Sequence, residues 1–213
     1  MSHVLAEHPA DARQADDARA FRHLLHEVAS HVTGLGLTLE MLGEPGIPPE
    51  DTAAMVVTAR GALDDLRHLI ADVGELTRFL HRRGPLQPEP VDPADLLAEL
   101  EQIGVTIRRV DGLPPRVRAD RAVIAFILHL LVKTCRRLPG VEIAASAAAE
   151  GAGFVCVEVS AVYPDDPGVR RVLEKAPMVV DHFCNAVARD LGGQFVREQS
   201  KTGQRVGFVL PVS

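Results

Sequence analysis

Apolar or small residues fall at Ala18, Phe21, Leu25, Val28, Val32, Leu35, Leu39 and Leu42, in alternating steps of three and four. That is a heptad seam, and it predicts one long helix. Gly43, Pro45, Gly46, Pro48 and Pro49 end it, because glycine and proline punctuate helices. A second seam follows at Val56, Ala59, Leu63, Leu66, Ile70, Val73 and Leu80, with Leu69, Leu76 and Phe79 widening the stripe. It closes on Arg82 and Arg83, a basic last turn, and then on Gly84 and Pro85. Two such helices joined by a short turn make a helical hairpin. A single hairpin cannot cover both seams, so two copies are expected to pair as a dimeric four-helix bundle.

Beyond the second helix the period changes. Residues 84–93 hold four prolines in ten positions and read as a semi-rigid linker between domains. A short helix is predicted over Pro93–Gln102 and a strand over Val105–Val110. The apolar run of Asp120–Leu138 reads as a buried helix. Strands are predicted at Val141–Ala149 and Phe154–Val162, a helix at Pro177–Leu191 closed by Gly192 and Gly193, and a last hairpin from Gln194–Gln199 and Gln204–Val212. The order is that of an α+β protein whose second part is a sandwich with helices on one face of a sheet. The organisation predicted is a frayed segment 1–15, a helical hairpin 16–83, a linker 84–93 and an α/β sandwich 94–213.

The 213 residues carry 23 basic and 29 acidic side chains, a formal net charge of −6. A non-specific nucleic-acid binder needs a basic surface, and this chain lacks the charge for one. Tryptophan is absent and aromatic residues make up 4%, so base-stacking platforms are not expected either. Cys135, Cys156 and Cys184 are scattered and include no Cys-x-x-Cys pair, which argues against a zinc site or a disulfide framework. Inert thiols in a reducing cytoplasm are the expectation. No apolar run reaches the length of a membrane span, and the first residues have no signal-peptide core.

Chemistry concentrates on the first helix, at His26-Glu27-Val28-Ala29-Ser30-His31. With Leu25 and Val28 on the seam, His26 falls one step off it, on the outward side. His23 and Ser30 share that face at i−3 and i+4. An exposed neutral imidazole is a good nucleophile near pH 7, and Glu27 could hold its second nitrogen. The competing reading is an ordinary solvated histidine on a helix surface. His31 is a rival acceptor on the opposite flank, with no acid after it.

This segment resembles the phosphoacceptor box of sensor histidine kinases, His-Glu/Asp-Leu-Arg-Thr/Asn-Pro-Leu. His26 and Glu27 match the His-acid pair, Val28 and Val32 the two leucines, and Glu40-Met41-Leu42 the later acidic-apolar group. Ala29, Ser30 and His31 depart from its Arg, Thr/Asn and Pro. The second part resembles the ATP-binding domain of the same family through Val91–Leu97, Ile127–Thr134, Leu191-Gly192-Gly193 and Gly207–Pro211. The family's nucleotide chemistry is missing. Lys133 stands in the slot of its magnesium-holding asparagine and His129 in that of the preceding one. Tyr163–Gly168 replaces the Asp-x-Gly-x-Gly box, and Glu174–Val180 has no glycine where a phosphate loop belongs.

An acceptor kept beside a lost nucleotide site is similar to the ChpT-type histidine phosphotransferases. The resemblance implies a cytoplasmic homodimer in which His26 and Glu27 carry out phosphotransfer and His23, Ser30, Thr33 and Gly34 dock receiver domains of response regulators. It implies no cofactor in this chain, since the receiver brings magnesium, and no nucleic-acid or membrane partner. Two alternatives stand beside it: a non-catalytic dimeric regulator that sequesters a response regulator, and a divergent ATP-dependent autokinase.

Overall fold

Both heptad segments are helical in the computed structural model. Described are residues 9–108, 116–137, 140–151, 153–164, 178–200 and 202–213, without the side chains of 9–21, 23, 80, 178 and 179. Helix α1 spans Pro9–Leu42 and α2 spans Pro49–Arg83. Residues 9–15, expected to fray, are helical within α1. Between the helices the Thr52 hydroxyl donates to the Pro48 carbonyl at 3.1 Å, and Glu50 and Asp51 complement the dipole of the α2 first turn.

The chain divides into two units. The first holds residues 1–82 with 177–180, and the second holds 83–176 with 181–213. Within the first unit, the α1 seam is covered on one side only. Val28, Leu35 and Leu42 are half-buried, whereas Leu25, Val32 and Leu39 are 52%, 53% and 63% exposed. The half-buried stripe of α1 runs instead through Leu24, Val28, His31, Leu35, Thr38 and Leu42. On α2, the residues expected only to widen the stripe, Leu69 and Leu76, are the buried ones, while Leu63 and Ile70 are exposed. A stripe about a third of the helix wide serves one neighbour, and the remaining heptad positions stay in solvent.

In the second unit α3 is Pro93–Gln102, as the pattern predicts. Its N-cap is Asp92, whose carboxylate accepts from the Ala94 N–H at 2.8 Å, and Pro93 takes the first helical position. Helix α4 is Arg121–Cys135 and α5 is Met178–Asp190. Five strands form the main sheet: β2 (Thr106–Arg108), β4 (Glu142–Ala149), β5 (Phe154–Val162), β6 (Gln194–Gln199) and β7 (Gly203–Pro211). Their order is β2-β4-β5-β7-β6, parallel between β2 and β4 and antiparallel elsewhere. Residues 109 and 110 of the expected strand Val105–Val110 lie outside the described residues.

Two short strands, β1 (Glu89–Val91) and β3 (Val117–Ala119), pair antiparallel as a separate ribbon. Neither shows in the sequence pattern, because three residues are too few for an alternation to register. The first of them lies inside the segment expected to be a linker.

Alternation along β5 sorts the sheet into two faces. Val155, Val157, Val159 and Ala161 are buried, along with Val206, Phe208 and Leu210 of β7. Leu96 and Leu100 of α3, Ile124, Ile127 and Leu128 of α4, and Cys184 and Ala188 of α5 are buried as well. Phe195 and Phe208 pack with ring centroids 5.4 Å apart and planes tilted by 59°. The other face carries Ser146, Glu158, Ser160 and Arg205, all half-buried. After α5 the chain turns through Gly192 at φ +80°, a conformation that side-chained residues rarely adopt. A side chain on Gly193 would collide with the Val209 carbonyl.

Candidate functional site

Helix α1 presents three stripes, which follow from ~100° per residue. His26 is exposed, and Ser30, Thr33 and Leu37 lie within about 40° of it. Gly34 and Met41 fall within about 80° of it on the same flank. All of these are exposed. The half-buried stripe with Val28, His31 and Leu35 lies on the opposite side, and Leu25, Val32 and Leu39 form the third. His23 sits on α1, but its side chain lies outside the described residues.

The Thr38 hydroxyl donates to the Gly34 carbonyl at 2.8 Å, a bond made inside α1. A side chain built on Gly34 or Gly36 would meet nothing within 4 Å. Neither glycine is demanded by α1 itself, and each costs helix stability of up to about 1 kcal/mol relative to alanine. Gly34, on the exposed flank, leaves the backbone there without a side chain over it.

Glu27 does not bond the ring it was expected to hold. It is half-buried, its Oε2 is enclosed without a hydrogen-bond partner among the described residues, and burial raises its pKa above the ordinary carboxylate value. Position i+1 on a helix turns about 100° away from its neighbour, toward the covered stripe. His31 is half-buried at i+4 from Glu27, on that same stripe. Adjacency in sequence suggested a His-Glu pair; helical phase separates the two.

Leu37 and Met41 were not among the expected site residues. They are 57% and 48% exposed, on the His26 flank. The signal was present: both are apolar, both fall outside the heptad seam, and they stand three and four turns beyond His26. On α2, Val57 is likewise off the seam and 70% exposed.

In the second unit, Lys133 is exposed near the end of α4, and His129 is half-buried with its Nε2 enclosed and without a hydrogen-bond partner among the described residues. The segments 165–168 and 174–177, where sequence comparison found no nucleotide boxes, lie outside the described residues. Polar side chains nearby are engaged with one another. Arg197 donates to Asp181 at 2.5 Å through Nη2 and to the Gln204 amide oxygen at 3.1 Å through Nη1. The Gln204 amide nitrogen donates to Cys135 Sγ at 3.1 Å. This chain ties the first turn of α5 to β6, β7 and the end of α4. Burial raises the pKa of Asp181 more than Arg197 lowers it.

All three cysteines are buried thiols. Burial pushes Cys156 up to about 12, helped by Glu158, and raises Cys135 and Cys184 as well. Thiols held protonated in this way are poor nucleophiles. Among the described residues, no three His, Cys, Asp or Glu side chains gather as a metal site, and no helix is long and apolar enough to cross a membrane.

No family model and no curated protein matches the chain. Solved structures similar to it include an Acinetobacter baumannii histidine kinase, AdeS, at 15% identity and a TM-score of 0.46, covering 88% of this chain and 98% of that one. The histidine kinase domain of the E. coli osmosensor EnvZ gives 15% identity and a TM-score of 0.45, over 62% of this chain and 91% of that one. Full-length ShkA in complex with AMPPNP gives 16% identity and a TM-score of 0.44, over 94% of this chain and 46% of that one. At such identities the role of each residue in this chain is set by its own surroundings.

Proposed function

We propose that the protein is a phosphorelay histidine phosphotransferase, in which His26 carries phosphoryl groups between receiver-domain aspartates of two-component signalling. The observation that carries this reading is the exposed His26 on α1, flanked by small Ser30 and Gly34 and by exposed apolar Leu37 and Met41. A solvated histidine with no role needs no apolar neighbours in water; a docking surface does.

In the step proposed, the lone pair of one imidazole nitrogen attacks phosphorus in line. The bond from phosphorus to the receiver's aspartyl oxygen breaks, and the carboxylate leaves. The reverse transfer uses the aspartate as nucleophile. Positioning supplies most of the rate, and the receiver's own magnesium neutralises the developing charge. His26 must be neutral to attack, because the ring nitrogen's lone pair forms the new bond. Ser30, Thr33 and Gly34, with His23, form the docking flank, and Leu37 and Met41 extend it. Glu27 is assigned a supporting role that begins only when a receiver docks. The chain itself uses no cofactor.

The same reading makes the protein a cytoplasmic homodimer. Leu25, Val32 and Leu39 on α1, with Leu63 and Ile70 on α2, repeat at seven-residue spacing and are exposed in the single chain. A second copy of the hairpin is the natural cover.

The test is phosphoryl transfer from a radiolabelled, phosphorylated receiver. Wild-type protein should take the label in acid-labile, base-stable form. His26→Gln should take none while keeping its helical circular dichroism. Glu27→Ala should slow transfer without abolishing it. Label retained by His26→Gln at the wild-type rate would overturn the assignment and turn attention to His31. Binding of the receiver without any transfer would favour the sequestering regulator. Calorimetric titration with ATP and magnesium should give no heat beyond dilution, and a micromolar dissociation constant there would restore the autokinase.

A further inference from the structure

Residues 83–92 belong to the second unit, and a single buried carboxylate holds their first half at two points, Arg83 and Gln87. Asp120 is fully buried. Its Oδ1 accepts from Arg83 Nη2 at 2.5 Å and from the Val123 N–H at 3.2 Å, and its Oδ2 accepts from the Gln87 N–H at 2.8 Å. One side chain therefore caps α4, pairs with the last residue of α2 and grips the backbone between them. The second half of the segment is zipped rather than gripped. Glu89, Pro90 and Val91 pair with Ala119, Arg118 and Val117, so the ribbon ends on the residue next to Asp120. Asp92 then caps α3, and Val91 and Pro93 are buried.

We propose that this segment is a strap latched by the Arg83–Asp120 pair, and that the latch sets how much chain is free between the two units. While it is closed, the second unit begins at Arg83, which is where the chain divides. At this end of the second unit the chain then passes between the two at Arg82–Arg83. With the latch open, residues 84–87 are released first, because among the described residues their backbone is otherwise held only by the Gln87 N–H on the same carboxylate. Opening of the β1–β3 ribbon as well would free a proline-rich tether of ten residues, up to roughly 33 Å when extended.

A buried carboxylate that loses its cationic partner keeps the desolvation cost without the compensation, so the latch has a strong preference for the closed state. Its dependence on one ion pair is what makes it switchable. The other pairs near α4 are of a different kind: Arg121 meets Glu99 and Asp95 on the surface, with 47% of its side chain exposed. The inference is independent of phosphotransfer by His26.

Hydrogen exchange on the full-length protein tests it. The Gln87 amide should be protected in wild type, since it donates to Asp120. Arg83→Gln should speed its exchange by at least about tenfold, leaving the Ile127 and Leu128 amides of α4 unchanged, as expected of a local opening. Arg83→Lys should give an intermediate rate, because a lysine restores the charge without the guanidinium geometry. Arg121→Gln should leave Gln87 as in wild type. Trypsin should cut Arg83→Gln after Arg82 faster than it cuts wild type after Arg82 or Arg83. The latch is overturned if Gln87 exchanges at the wild-type rate in Arg83→Gln. It is equally overturned if α4 loses protection in step with Gln87, for then the strap and the unit open together.

Discussion

The two units treat their apolar side chains differently. In the second, Val117, Ile127, Val155 and Phe208 are all at 0% exposure, and a sheet and three helices supply their cover. In the first, Leu39 and Ile70 are 63% and 59% exposed on heptad positions. The second unit has enough elements to close a core within one chain. Among the described residues, a pair of long helices has one half-buried stripe on α1 and one stripe with buried leucines on α2, and the other heptad positions stay in solvent. The unit that completes itself also offers no exposed nucleophile among its thiols, while the incomplete one carries His26.

The largest break in this comparison is a core truncation in the second unit. Ile127→Ala should cost about 2–5 kcal/mol, because it leaves a cavity among fully buried neighbours. Its melting midpoint in urea should fall, while transfer of label to His26 persists at low denaturant. Leu39→Asp should do the opposite. It is exposed in the single chain, so monomer stability should change by no more than about 0.5 kcal/mol. The dimer should nevertheless split, since pairing would bury an unpaired charge, and sedimentation should show a single chain at micromolar concentration. A monomeric wild type, or a Leu39→Asp protein that stays dimeric, would remove the second copy from the seam.

The smallest effect concerns Glu27. Its folded pKa is raised by burial, so the folded state disfavours the ionised form. The penalty is present above that pKa and is relieved as pH falls through it, because the folded state then binds a proton more readily than the unfolded chain. Glu27→Gln should therefore raise stability at pH 7.5, by less than about 1 kcal/mol after solvent screening. The gain should shrink toward zero as the pH is lowered past the usual glutamate range. Thermal melts at several pH values read the sign directly, and a loss of stability at pH 7.5 would mean that the carboxylate is held by a favourable contact.

Much of the fold was legible because it is local. Phe154–Val162 and Gln194–Gln199 span the residues the pattern predicts, and Val157, Val159 and Ala161 alternate with Glu158 and Ser160 along the first of them. Pro93 and Asp92 mark the start of α3 with a fixed φ and a capping carboxylate. The strands β1 and β3 escaped because their pairing joins residues far apart in sequence and neither is long enough to show a period. Within the site, the exposed flank of His26, Ser30, Thr33 and Gly34 follows from helical phase. The separation of Glu27 from His26 follows from the same phase, but sequence adjacency hid it.

The sequence by itself determined which residues share a face: a period of 3.5 puts Leu25, Val32 and Leu39 in one line and His26 beside it. Only the tertiary structure decided which of those faces is covered, because coverage depends on what packs there and a repeat is blind to its neighbour. Asp120 shows the same division. Its place before an apolar helix fits an N-cap, a role within reach of local chemistry. That it also grips Arg83 and Gln87 depends on a carboxylate being buried where the chain returns, an arrangement made by packing across more than thirty residues.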